Sequence, residues 1–196
     1  MKHTFIFATN NAHKLEEVQY MLGDSLVLQN LQDIHCTEDI PENEPTIEGN
    51  ALFKARYIYQ KYGKACFADD SGLEVEALNN APGVHSARYA GEARDFHANN
   101  TLLLKNLATI SNKKARFKTV IACIIEGKES LFEGIVEGEI IDSPRGNNGF
   151  GYDPIFQPNG YDKTFAELGV EVKNAISHRA RAIQAFLIFL KQQELV

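Results

Sequence analysis

Residues 65–74 read ACFADDSGLE. An apolar run climbs to Phe67 and Ala68, then stops on two adjacent carboxylates, Asp69 and Asp70, followed by Ser71 and Gly72. A run this short and apolar reads as a buried strand. Its charge falls at the C-terminal end, where α/β proteins place their ligand sites. Successive strand side chains point to opposite faces, so the two aspartates serve different surroundings.

The flanking segments extend this into an α/β pattern. Residues 3–9 (HTFIFAT) read as a strand, and 10–22 as a helix with Leu15, Val18 and Leu22 on one face and Asn10 or Asn11 as N-cap. Residues 25–31 read as a second strand. Thr46 caps a helix running to about Tyr62, in which Ile47, Ala51, Ala55 and Ile58 are spaced for burial. Residues 66–69 and 73–78 read as two short strands, with Ser71 and Gly72 turning between them, and 79–93 as a turn-rich loop.

Residues 94–110 read as a helix and 116–141 as a long β-hairpin turning near Gly127, with the β-branched content strands favour. Residues 143–154 form the most glycine-rich loop. The last helix spans 175–193, with Ile176, Ala180, Ile183, Leu187 and Leu190 at helical spacing. The sum is an α/β fold carrying an antiparallel hairpin in a mixed sheet. Without repeat or linker, residues 1–196 read as a single domain.

Composition narrows the function classes. The chain has 196 residues, enough to bury a core, and is 44% hydrophobic and 23% charged, as soluble globular proteins are. A net charge of −6 lacks the basic footprint of duplex nucleic-acid binders, while leaving room for a small anionic ligand in a locally basic pocket. Cys36, Cys66 and Cys123 are odd in number and lie far apart, which fits a reducing cytosol rather than a disulfide framework or zinc ribbon. The apolar run of the N-terminus is too short for a signal peptide, and no 18-residue apolar stretch exists. The expectation is a cytoplasmic protein with neither membrane nor nucleic acid as partner.

Four segments concentrate chemistry. Thr9, Asn10, Asn11, Ala12, His13 and Lys14 lie at a strand-to-helix junction, where amide groups and the helix dipole attract anions. The same pattern fits a capped surface helix with a solvated lysine, and it is not a Walker A loop. Asp69 and Asp70, with the acidic stretch containing Glu42, Glu44 and Glu48, offer the hard oxygens that Mg²⁺ prefers. Solvated loop acids would look the same, and Asn50 and Lys54, at i and i+4, fit a surface pair as well as a site. Residues 144–156 (PRGNNGFGYDPIF) combine glycines with Phe150, Tyr152 and Asp153, suited to close backbone approach and base stacking, or simply to a turn over the core. Lys173 to Arg179 (KNAISHR) gathers three cationic side chains and Ser177, a possible cap for the last helix.

Together these segments resemble the Ham1-type inosine triphosphate pyrophosphatases, also called dITP/XTP pyrophosphatases. The resemblance rests on T-x-N-x-x-K (Thr9, Asn11, Lys14), N-A-x-x-K-A (Asn50 to Ala55) and A-D-D-S-G-L (Ala68 to Leu73). It continues through A-P-G-x-x-S-A-R-Y-A-G (Ala81 to Gly91), G-F-G-Y-D-P-x-F (Gly149 to Phe156), T-x-A-E (Thr164 to Glu167) and S-H-R (Ser177 to Arg179), in family order. Asn10 stands where family members often carry glycine, and Asn tolerates a positive φ better than most residues.

The resemblance implies cleavage of ITP, dITP and XTP to the monophosphate and pyrophosphate. It implies an elongated mixed sheet with helices in two lobes around the active-site groove, and a homodimer. Residue by residue, it implies that Thr9 to Lys14 and Lys54 hold the triphosphate. Glu42 and Asp70 would hold Mg²⁺, with Asp70 also the proton acceptor. Ser71, Phe150, Gly151, Tyr152, Asp153, Lys173, His178 and Arg179 would line the nucleotide site, and Asp69 and Asn50 would support it. An ordinary aspartate, with a pKa of about 3.9, would orient water rather than abstract its proton unaided. Two rivals are a Maf-type pyrophosphatase acting on other bases and a nucleotide- or RNA-end-binding module that has lost turnover. The G-F-G-Y-D-P and S-H-R segments argue against the first, and Asp69, Asp70 and the lysines against the second.

Overall fold

Strand β1 (Thr4–Phe7) turns Phe5, Ile6 and Phe7 all inward, a run buried on both faces as central parallel strands are. The computed structural model describes residues 3–24 and 26–195. Ser25, the first residue of the expected second strand, lies outside the described residues, as do Met1, Lys2 and Val196. Asn11 caps helix α1 (Ala12–Leu22) by accepting from the Lys14 amide. Strand β2 (Val27–Gln29) then runs parallel to β1. Thr46 caps helix α2 (Ile47–Tyr62), which ends at Gly63 in the left-handed region at φ 62°.

Strand β3 (Cys66–Val75) also pairs with β1 in parallel. It is one continuous strand of 10 residues, so Ser71 and Gly72 extend it rather than turning between two short strands. Two 3₁₀ segments, Glu76–Leu78 and Gly83–Arg88, and helix α3 (Phe96–Leu107) follow. Strands β4 (Lys114–Ile125) and β5 (Lys128–Ile140) are joined through Glu126 and Gly127 at φ 49° and 78°. Two successive positive φ values match the twist of a tight hairpin.

Strand β6 (Phe156–Pro158) pairs antiparallel with β5. The expected single C-terminal helix is two helices, α4 (Val170–Ile176) and α5 (His178–Gln192), separated by Ser177 in extended conformation at ψ 158°. The sheet is mixed, six-stranded, and ordered β2-β1-β3-β4-β5-β6. Among the described residues no helix is long and apolar enough to cross a membrane.

The chain divides into two compact units. One takes the residues up to Asp70, Thr119–Gly134 and those from Arg179 onward; the other takes Ser71–Lys118 and Ile135–His178. Each has its own core. In the first, Phe5, Phe7, Phe67 and Phe186 cluster, with the Phe7 and Phe67 rings stacked 4.6 Å apart. In the second, Phe117 packs against Phe156 at 4.7 Å and against Phe165 at 5.9 Å.

Candidate active site

In the first unit the middle of β3, where the sequence placed a strand end, carries a buried charge network. Asp69 is 1% exposed, and its two oxygens accept from Lys14 Nζ at 3.1 Å and Arg179 Nε at 3.2 Å. The Arg179 guanidinium also pairs with the Glu17 carboxylate. Asp70, 7% exposed, accepts from Asn50 Nδ2 at 3.1 Å and lies 3.7 Å from Lys54 Nζ. Lys54 donates to Glu42 at 2.7 Å, and Asn50 Oδ1 accepts from the Glu44 backbone amide at 3.0 Å. The alternation of β3 thus gives the two aspartates separate partners. Asp69 pairs with Lys14 and Arg179, whereas Lys54 bridges Asp70 and Glu42.

These contacts set the charges. Burial pushes the Asp69 carboxyl up, but Lys14 and Arg179 outweigh it and hold the group well below the usual carboxylate range. For Asp70 burial wins over the nearby lysines and raises the carboxyl above its ordinary value. Burial lowers Lys14. The same burial acts on Lys54, yet Asp70 and Glu42 overcome it and raise the ammonium.

At the start of α1, Thr9 Oγ1 accepts from the Asn11 amide at 3.1 Å. The first helical turn presents its amides beside exposed Asn10, Ala12 and His13, at the positive end of the dipole. Asn10 is not among the described residues with positive φ, so the asparagine meets no left-handed requirement there. Among the described residues no three His, Cys, Asp or Glu side chains gather as a metal cluster. Glu42 and Asp70 nevertheless bracket one cation already, the Lys54 ammonium. Two carboxylates of this kind suit Mg²⁺, which takes few protein ligands and completes its shell with water and phosphate oxygens.

The second unit holds the other predicted residues. Asp153 Oδ2 accepts from the Phe150 amide at 2.8 Å and from Lys173 Nζ at 2.7 Å, and the Lys173 ammonium stands 4.9 Å from the Phe150 ring centre. One carboxylate thereby closes the glycine-rich loop and sets a cation on its aromatic face. The His178 ring stacks on Phe117 at 4.6 Å. Tyr152 is buried and donates to the Ser86 carbonyl at 2.9 Å. Ser71 is half-buried within β3.

Residues 5–189 match the Ham1 family. The chain belongs to that family. It is 55% identical over 185 residues to the dITP/XTP pyrophosphatase of Flavobacterium johnsoniae, covering 94% of this chain and 96% of that one. Its fold is similar to the Ham1 protein of Staphylococcus aureus, with a TM-score of 0.90 and 39% identity over 97% of this chain and 99% of that one. A nucleoside-triphosphatase, dITP/XTP pyrophosphatase, from Mycobacterium abscessus matches at a TM-score of 0.79 and 45% identity, covering 94% and 98%.

In this Ham1 chain the structure adds two residues the motifs left aside, Glu17 and Glu44, and a contact between two motifs. Glu17 follows Lys14 by three positions, so helical spacing puts both on one face of α1. Glu44 contributes only its backbone, and no side-chain pattern signals that. Ser86 Oγ accepts from the Leu73 amide at 2.8 Å, joining two family motifs within the second unit.

Proposed function

We propose that this chain hydrolyses ITP, dITP and XTP between the α and β phosphates, releasing the nucleoside monophosphate and pyrophosphate. The observation that carries the reading is the buried Asp70–Lys54–Glu42 cluster, flanked by the Lys14–Asp69–Arg179 network, in a member of the Ham1 family.

Thr9 to Lys14 bind the triphosphate through the amides of the α1 start and the Lys14 ammonium. Lys54 adds charge that stabilises the departing pyrophosphate. Glu42 and Asp70 would hold Mg²⁺, which would supply charge neutralisation and a more acidic water when bound. Asp70 takes the proton of the attacking water. Asn50 fixes the orientation of Asp70, and Asp69 holds Lys14 in place.

Phe150 to Asp153, Ser71, Lys173 and His178 receive the nucleoside, with the Phe150 ring as stacking face. His178 and Arg179 are the donors assigned to the 6-oxo group of hypoxanthine and xanthine. A site that donates there leaves its donors unpaired against the amino group of adenine. In this reading the enzyme works in the cytoplasm as a homodimer, without nucleic acid or membrane.

The test is a panel of nucleoside triphosphates with Mg²⁺, scored for monophosphate and pyrophosphate. Preference for ITP, dITP and XTP over ATP and GTP is the expected result. Release of orthophosphate and nucleoside diphosphate would place the cleavage at another bond.

A further inference from the structure

Helix α3 lies outside every family motif quoted above, yet two of its side chains address the glycine-rich loop. Asn100 Nδ2 donates to the Gly151 carbonyl at 3.1 Å. Phe96, one helical turn earlier and on the same face, sets its ring 6.1 Å from that of Phe150. Phe150 thus has the Phe96 ring and the Lys173 ammonium as neighbours. Asn99, the residue before Asn100 on α3, accepts from the Ala90 amide at 2.7 Å and donates to the Ala87 carbonyl at 3.0 Å. Adjacent asparagines on one helix therefore hold two loops of the second unit.

The chemistry of Asn100 says what it is for. It is 8% exposed, and the Gly151 carbonyl, an acceptor only, dictates that the amide nitrogen faces the loop. The amide oxygen is then buried with no hydrogen-bond partner among the described residues. A buried acceptor in that state destabilises the fold, and a leucine of similar size would avoid the penalty. What leucine cannot supply is the donor to Gly151. That glycine sits at φ 63°, and its carbonyl orientation is coupled through one peptide bond to Phe150 on one side and Tyr152 on the other.

We propose that Asn100, assisted by Phe96, is a positioning residue for base recognition: it fixes the Gly149–Asp153 loop so that Phe150 presents its ring to the substrate base. The proposal rests on the reading of Phe150 as the base-stacking residue. Asn100 does not touch the substrate, so its loss weakens binding of the base and leaves the phosphate chemistry intact.

The experiment compares full-length wild type, Phe150→Ala, Asn100→Ala, the double variant and Phe96→Leu. The measurements are kcat and KM for ITP, XTP, GTP and ATP with Mg²⁺, together with thermal unfolding. Asn100→Ala is expected to raise KM for ITP about tenfold, the order of one lost stacking contact. The kcat should stay within about twofold and the preference for ITP over GTP should narrow. In the Phe150→Ala background the same substitution should add little, because both act through one ring.

Phe96 is 39% exposed, so Phe96→Leu tests the same surface without endangering the core, and a smaller rise confined to KM is expected. Full additivity in the double variant, or unchanged KM and selectivity in both α3 variants while Phe150→Ala is impaired, would overturn the inference. Unchanged KM in Phe150→Ala would instead overturn the stacking reading on which it rests. Should Asn100→Ala fail to fold, the KM and selectivity of Phe96→Leu decide.

Discussion

At Asp70 two forces oppose each other, and burial prevails over the neighbouring ammonium groups. The carboxyl is raised above its ordinary value in the metal-free site. Asp70→Asn keeps the size of the side chain and removes the base. Its kcat should fall by a factor of about 10²–10⁴ while KM for ITP changes much less, read by steady-state pyrophosphate release. Near-normal turnover would remove Asp70 from the role. Asp69 shows the opposite balance and acts on stability. Its folded carboxyl lies below the unfolded value of about 3.9, so between those values the unfolded chain binds more protons. The stabilisation is complete above about pH 5 and is lost as pH falls through the folded value. Asp69→Asn leaves Lys14 and Arg179 facing a neutral amide and should cost about 3–5 kcal/mol at pH 7. Calorimetry from neutral to acid pH should show that gap narrowing on the acid side, and a gap independent of pH would rule out a charge effect. That the two aspartates have different surroundings was legible from strand alternation alone. Their partners were not, because Arg179 meets Asp69 across 110 positions of sequence, a pairing set by how α5 packs.

The elements diverge from their sequence signals where tertiary pairing overrides a local preference. Ser71 and Gly72 are turn residues by type, yet strand pairing carries β3 straight through them, and a side chain, Ser86, supplies the acceptor for the Leu73 amide. The last helix keeps its apolar spacing across the break at Ser177, which is why periodicity reads it as one. The break divides its allegiance, since Ile176 packs on the core of the second unit and Ile183 in that of the first. Caps and turns were easier to read, because Asn11, Thr46 and the Glu126–Gly127 turn act through local chemistry. The glycine-rich loop allows a graded test of such local chemistry. Gly149 and Gly151 both have positive φ, at 79° and 63°. A methyl group at Gly149 would clash with the Asp153 carboxylate that caps the loop, whereas one at Gly151 meets nothing within 4 Å. Gly151→Ala should therefore cost about 1–2 kcal/mol, the left-handed penalty alone. Gly149→Ala should cost more and also raise KM for ITP, as urea denaturation and steady-state kinetics would register. Equal costs at the two sites would mean that Asp153 does not hold the loop as described.

The two units are drawn from interleaved segments, and the chain crosses from one to the other within β4 and β5 and at Asp70–Ser71 inside β3. A strand that belongs to two cores cannot keep its backbone hydrogen bonds in one while the other loses them, so folding should be a single cooperative event. Phe186, fully buried in the first core, and Phe165, fully buried in the second, test this. Phe→Ala at either place removes a large side chain from a packed interior and should cost about 3–5 kcal/mol. For a chain of this length each kcal/mol lowers Tm by roughly 2–4 °C, so either variant should melt about 6–20 °C lower. The decisive feature is the shape of the transition. With shared strands, both variants should give one transition, seen together by far-UV circular dichroism and by calorimetry with matching enthalpies. Two separated transitions, with only the mutated unit displaced, would mean that the units unfold independently and that the shared strands fray at their crossing points.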